Sequence, residues 1–131
     1  VTYFNGASMG TGIALDGAVS GGKTYVLCST ALATLLAAAC DRSTNLTFNG
    51  DDAVALECDG VTLDVIGQIG VDPGDAWGTA ETTTLNHTLR RACEAAAGDR
   101  DGTDPFDPSL EWTGFAADTF DGLGLAECGG G

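Results

Sequence analysis

Lysine occurs once in this chain, at Lys23, and arginine only four times, against nineteen acidic residues. The formal net charge is −14. Nucleic-acid affinity rests on cationic side chains that displace counterions from phosphates, so a surface this poor in cations excludes direct DNA or RNA binding. Anionic membranes repel it for the same reason. Histidine also occurs once, as His87. Zinc needs more nitrogen or sulfur ligands than that, and the five cysteines form no CxxC pair. No G-x-S-x-G motif stands ready to make His87 part of a nucleophilic site. We expect His87 to be a surface or hydrogen-bonded strand residue. No run approaches the roughly 18 apolar residues that a membrane span requires. "ATLLAAAC" is far too short, and the chain opens in a strand-like "VTYF" and not in a signal peptide. It therefore reads as a processed mature protein or an excised domain.

Glycine, by contrast, is abundant, with 20 residues among 131. Fourteen of the nineteen acids are Asp, which favours turns, caps and ion ligation over helix interiors. Short alternating segments fill the spaces between these turn formers. The clearest is "AVALEC-DG-VTLDVIG", in which Val54, Leu56 and Cys58 share one face. Val61, Leu63 and Val65 share a face of the returning strand, and Asp59-Gly60 makes the two-residue turn. "TGIALDG", "KTYVLC", "NHTLRRAC" and "SLEWTGF" read as further strands. One segment departs from this pattern: "ALATLLAAAC" predicts a short helix over about residues 30–40, apolar nearly all round and packed against a sheet. The expectation is one all-β domain over residues 1–131, an antiparallel β-sandwich with one short helix.

Five cysteines in a chain of this size suggest an oxidising compartment, extracellular or at the cell surface. A bridge between Cys28 and Cys40 would close a short loop and contribute roughly 3 kcal/mol. Cys58 and Cys93 are expected in disulfides as well, which leaves Cys128 as the thiol for another molecule.

The acids are densest in "GDRDGTDPFDP", where Asp99, Asp101, Asp104 and Asp107 crowd together. Like charges at that spacing repel unless a cation, backbone N–H donors or water offset them. D-x-D-G-x-D, with Gly102 at the bend, brings hard oxygen ligands together in a way that suits structural Ca²⁺. The competing reading is a solvated turn whose aspartates cap nearby N–H groups. Asp51 and Asp52 open the central hairpin and have Arg90 and Arg91 as natural partners for a bidentate structural pair. Trp77 and Trp112 are expected in core and rim packing. "NLT" at Asn45 and "NHT" at Asn86 match the N-glycosylation pattern.

Taken in order, "FNGDDAVALECDGVTLDVIGQIGVDPGDAWG", "HTLRRAC", "GDRDGTDPFDPSLEW" and "DTFDGLG" resemble the lamin-tail domain in its bacterial extracellular form. The resemblance covers about Phe48 to Gly124 and, more loosely, "YFNG", "IALDG" and "KTYVLC". It implies an immunoglobulin-like β-sandwich of the kind found as an accessory module of secreted nucleases. Family members begin with further strands before the "YFNG"-like segment, so the expectation includes a sandwich lacking its N-terminal strands. Catalysis in such nucleases belongs to a separate domain, and no catalytic residue carries over. The functional expectation is a non-catalytic secreted or cell-surface structural or adhesion domain, whose partners are copies of itself joined into a fibre by strand addition. The alternative is an accessory binding module of a larger secreted nuclease or other hydrolase.

Overall fold

A computed structural model describes residues 1–95 and 97–125. The backbone contacts divide the chain into two compact units, one made of Val1–Ile13 with Phe48–Thr119, the other of Ala14–Thr47 with the stretch from Phe120 onward. Among the described residues the regular elements are strands and one 3-10 turn, so the fold is all-β, as the alternation of short apolar segments and Gly/Asp turns predicts.

In the first unit, β1 (Thr2–Phe4), β2 (Ser8–Met9), β5 (Ala53–Cys58) and β6 (Val61–Ile66) form an antiparallel sheet in the order β2-β1-β5-β6. Two antiparallel pairs accompany it: β7 (Gly78–Thr79) with β8 (Thr82–Thr83), and β9 (His87–Arg91) with β10 (Trp112–Ala116). The β5–β6 hairpin closes at Asp59 (φ 50°) and Gly60 (φ 77°), the double positive φ that Asp-Gly supplies at low cost. Register then selects the buried face. Ala55 lies opposite Val65, and Ala53, Ala55 and Val65 are buried while Leu56 and Cys58 face solvent. Both faces of the hairpin carry apolar residues, so alternation alone does not reveal which one turns inward. The alanines go inside because a large ring needs the room: Trp77 is buried over Gly67, where a Cβ would lie 2.9 Å from the indole and 3.0 Å from the Ala53 Cα. Gly67 also sits at φ 91°, so both space and backbone demand glycine. Phe106 meets the Trp77 ring edge-on at 6.2 Å.

The second unit holds β3 (Leu27–Ser29) and β4 (Arg42–Thr44), which pair parallel and not antiparallel. Parallel neighbours need a crossover of about a dozen residues, and the segment predicted to be helical is that crossover. It forms no continuous helix. Scattered turn bonds, Leu36 N–H to Leu32 O at 2.9 Å and Cys40 N–H to Leu36 O at 3.1 Å, are what remains of the helical tendency. The reason is geometric. A straight helix over residues 30–40 separates its ends by about 15 Å, whereas the Cys28–Cys40 disulfide holds its Cα atoms 5.8 Å apart. The expected burial fails with it, as Leu35 is 72% exposed. "TGIALDG" forms no strand either. Val26 and Cys28 are the buried residues beside this crossover.

Among the cysteines, Cys28 and Cys40 are bonded to each other and Cys93 is disulfide-bonded. Cys58 is not: it is a free, exposed thiol, because the hairpin turn places it at the tip of β5 with its side chain outward. Cys128 lies outside the described residues.

Candidate functional site

The densest polar constellation in the first unit gathers around Asp64 on β6. Its carboxylate takes both ends of the Arg91 guanidinium, Nη1 to Oδ2 at 2.5 Å and Nη2 to Oδ1 at 2.8 Å. The N–H groups of Asp99 (2.8 Å) and Val65 (3.0 Å) donate to Oδ1 as well. Burial opposes ionisation of Asp64, yet the Arg91 bonds and these N–H donors outweigh it and hold the carboxyl below its ordinary range. Arg91 is raised in turn, first by the Asp64 bond. Its guanidinium lies 4.6 Å from the ring centre of Trp112, the residue directly opposite it across the β9–β10 ladder. Arg90 uses the diagonal neighbour, Phe115, at 4.7 Å. Both arginines thus lie along aromatic faces set by strand register.

The expected partners of these arginines were Asp51 and Asp52, and Arg91 binds elsewhere. Asp52 is buried and caps a turn, accepting the N–H of Asn5 at 2.9 Å and of Asn49 at 3.2 Å. The Asn49 side-chain amide, turned toward the acids, donates to both Asp51 and Asp52. Charge counting shows that a scarce arginine will find an acid, but not which acid the fold brings within reach. Asp64 had no motif to mark it; its one signal was a carboxylate in the middle of a largely apolar strand.

The acidic loop is pinned to the segment just after β6 through Ile69 N–H to Gly102 O at 2.6 Å and Gln68 Nε2 to Thr103 O at 2.9 Å. Its four carboxylates do not converge. Asp99 and Asp104 come within hydrogen-bonding reach of one another. Asp101 instead accepts the Thr103 hydroxyl (2.6 Å) and N–H (3.1 Å), and the hydroxyl bond leads in lowering its carboxyl. Asp107 does the same with Ser109, at 2.7 and 2.9 Å, and caps the 3-10 turn Pro108–Leu110. Among the described residues no three His, Cys, Asp or Glu side chains group as ligands for one ion. Asp101 and Asp107 thus each close a short-range Asx and ST turn. Gly102 lies in the turn that Asp104 N–H closes on Asp101 O at 3.3 Å, and it serves packing as well: a Cβ there would lie 2.8 Å from Ile69 Cδ1 and 2.9 Å from Val65 Cγ2.

Asp99 is pushed above the ordinary carboxylate range by burial first; the Asp101 N–H opposes the shift, and the charge and hydrogen bond of Asp104 add to it. Beside it a cavity of about 260 Å³ is bounded by Arg91, Asp99, Asp104, Phe106, Glu111 and Trp112. Neither His87 nor a serine or cysteine lines it. His87 holds the Leu85 carbonyl through Nδ1 at 2.9 Å, which makes Nδ1 the protonated nitrogen. What the cluster does chemically is fasten β6, the acidic loop and the β9–β10 pair to one another. Asn45 and Asn86 are both exposed, Asn86 in a turn at φ 53°.

No known protein family, curated protein or solved structure matches this chain.

Proposed function

We propose that the chain is a non-catalytic structural or adhesion domain, secreted or displayed at the cell surface, with a lamin-tail-like, immunoglobulin-like sandwich as its scaffold and copies of itself as partners. One observation carries this reading: the tip of the β5–β6 hairpin. It presents a free thiol at Cys58 flanked by exposed Leu56 (47%) and Val61 (55%), on a chain whose Cys28, Cys40 and Cys93 are already oxidised. β6 is the six-residue edge of its sheet, and the part of that edge which Gly98 and Asp99 leave uncovered offers backbone donors and acceptors to an added strand. The disulfides suit an oxidising compartment, and no described helix is long and apolar enough to cross a membrane.

Charge sets the condition for such contacts. Copies carrying −14 each repel one another, and salt at about 0.5 M shortens the screening distance to a few ångströms. Sedimentation of the purified chain at low and high salt, with and without reductant, tests the reading. Mass should rise with concentration and salt, and a covalent dimer should form without reductant and vanish in Cys58→Ser. A single monomeric boundary under every condition refutes it.

A further inference from the structure

A second cavity lies wholly within the second unit. Its volume is about 520 Å³, within the range of small-molecule sites. Asp16, Ser20, Lys23, Thr24, Tyr25 and Arg42 line it. The only lysine of the chain and one of its four arginines therefore meet here, although the chain holds five cations in all. Arg42 is incompletely used. Its Nη1 contacts Asp16 Oδ2 at 2.8 Å, but its Nε is buried and has no hydrogen-bond partner. Nη1 and Nη2 form the guanidinium end whose N–H groups match the two oxygens of a carboxylate. With Nε closed off and the side chain 32% exposed, an outside acceptor meets Arg42 at this end, where Asp16 now sits.

The wall that carries Arg42 is rigid. Val26 O accepts the N–H of both Asp41 (2.9 Å) and Arg42 (3.2 Å), Asp41 Oδ2 accepts Val26 N–H at 2.6 Å, and the Cys28–Cys40 disulfide ties the preceding residue. Little freedom is lost when Arg42 takes a ligand, and such preorganisation favours affinity. The competing contact is weak, because Asp16 is 85% exposed and an exposed ion pair yields readily to an incoming acceptor.

We propose that this cavity binds a small hydroxylated carboxylic acid of the sugar-acid class. Arg42 takes the carboxylate through its Nη1/Nη2 end and displaces Asp16. Lys23 adds attraction, and the hydroxyls of Ser20, Thr24 and Tyr25 meet the hydroxyls of the ligand. Thr24 already donates to Gly124 O at 2.8 Å, so its oxygen is an acceptor. A single negative charge is favoured over a phosphate dianion. Asp16 and Asp41 balance Lys23 and Arg42 locally, and the net charge of −14 penalises each further anionic charge. This inference stands apart from self-association, since Cys58 and β6 take no part in it.

Calorimetric and NMR titration of the full chain with glucuronate, glucose and inorganic phosphate tests it. Glucuronate should saturate and shift the amides of Thr24, Tyr25 and Arg42, while glucose at the same concentrations should not bind. Arg42→Gln should weaken glucuronate by about tenfold, the loss of one charge-assisted hydrogen bond. Lys23→Gln, at an exposed position that does not endanger folding, should weaken it by a few-fold. Asp16→Asn should tighten it, because the competitor for Arg42 loses its charge, and a merely structural ion pair would not behave so. Unsaturable glucuronate binding, equal binding of glucose, preferential binding of phosphate, or weaker binding by Asp16→Asn each overturns the proposal.

Discussion

Replacing Asp64 by Asn tests the central clasp with little change of shape. Asn retains an oxygen for the N–H groups of Asp99 and Val65 and loses the charge that Arg91 grips. Two unit charges about 4 Å apart attract by roughly 4 kcal/mol at the effective dielectric of a protein surface. Desolvation offsets part of this, since the side chains retain only 22% and 27% of their exposure. Pairs this deep lie between the exposed limit of about 0–1 kcal/mol and the buried limit of about 3–5 kcal/mol. We therefore expect a loss of about 2 kcal/mol. Both tryptophans, Trp77 and Trp112, lie in the unit that carries the pair, so urea unfolding followed by their fluorescence reports on that unit. The acid limb supplies a second readout. Asp64 has a depressed carboxyl in the folded chain, so its contribution is present above the unfolded value near pH 4 and lost as pH falls through the lower folded value. Asp64→Asn should lack that part of the acid loss. A double-mutant cycle with Arg91→Gln isolates the pair and should give a coupling of at least about 1 kcal/mol. A cost below about 0.5 kcal/mol, together with an unchanged acid limb, refutes the assignment of Asp64 as the anchor of the clasp.

Asp99 behaves with the opposite sign. Its carboxyl is raised in the folded chain, so the stability linked to its proton is present below the unfolded value and lost as pH rises through the folded one. Asp99→Asn keeps the acceptor for Asp101 N–H and should stabilise the chain at pH 7 by a few tenths of a kcal/mol, about 0.3 after solvent screening. The gain should fade below about pH 4, and a destabilised variant at pH 7 contradicts the reasoning. Gly67→Ala drives a methyl group into the Trp77 ring and Ala53 at a positive φ, and should cost about 2–4 kcal/mol with a red shift of tryptophan emission. A variant within about 0.5 kcal/mol of the parent shows that the Trp77 pocket yields.

Much of the first unit was legible because its signals are local. Asp59-Gly60 between two alternating runs fixes a two-residue hairpin whatever else the chain does. Pro73-Gly74 likewise predicts a turn, and Gly74 stands at φ 85° with Asp72 Oδ1 accepting its N–H at 2.8 Å. The crossover over residues 30–40 was misread because helix propensity and apolar content are properties of the segment, while the constraint that broke the helix is a bond between its two ends. The acidic loop was half legible. Each Asp two residues before a Thr, Ser or Asp N–H announces a local cap. The approach of Asp104 to Asp99 depends on where the loop is pinned just after β6.

The amino-acid order by itself determined that the chain is built of short strands and turns, that its surface repels polyanions, and that Cys28 and Cys40 lie a disulfide-sized loop apart. These follow from φ preferences, summed charge and spacing, which need no partner distant in the chain. Only the tertiary structure decided which acid holds Arg91, which face of the β5–β6 hairpin is buried, and which cysteine remains free. Those outcomes are set by strand register and by contacts between residues tens of positions apart, such as Asp64 with Arg91, and a one-residue slip of register would reverse them.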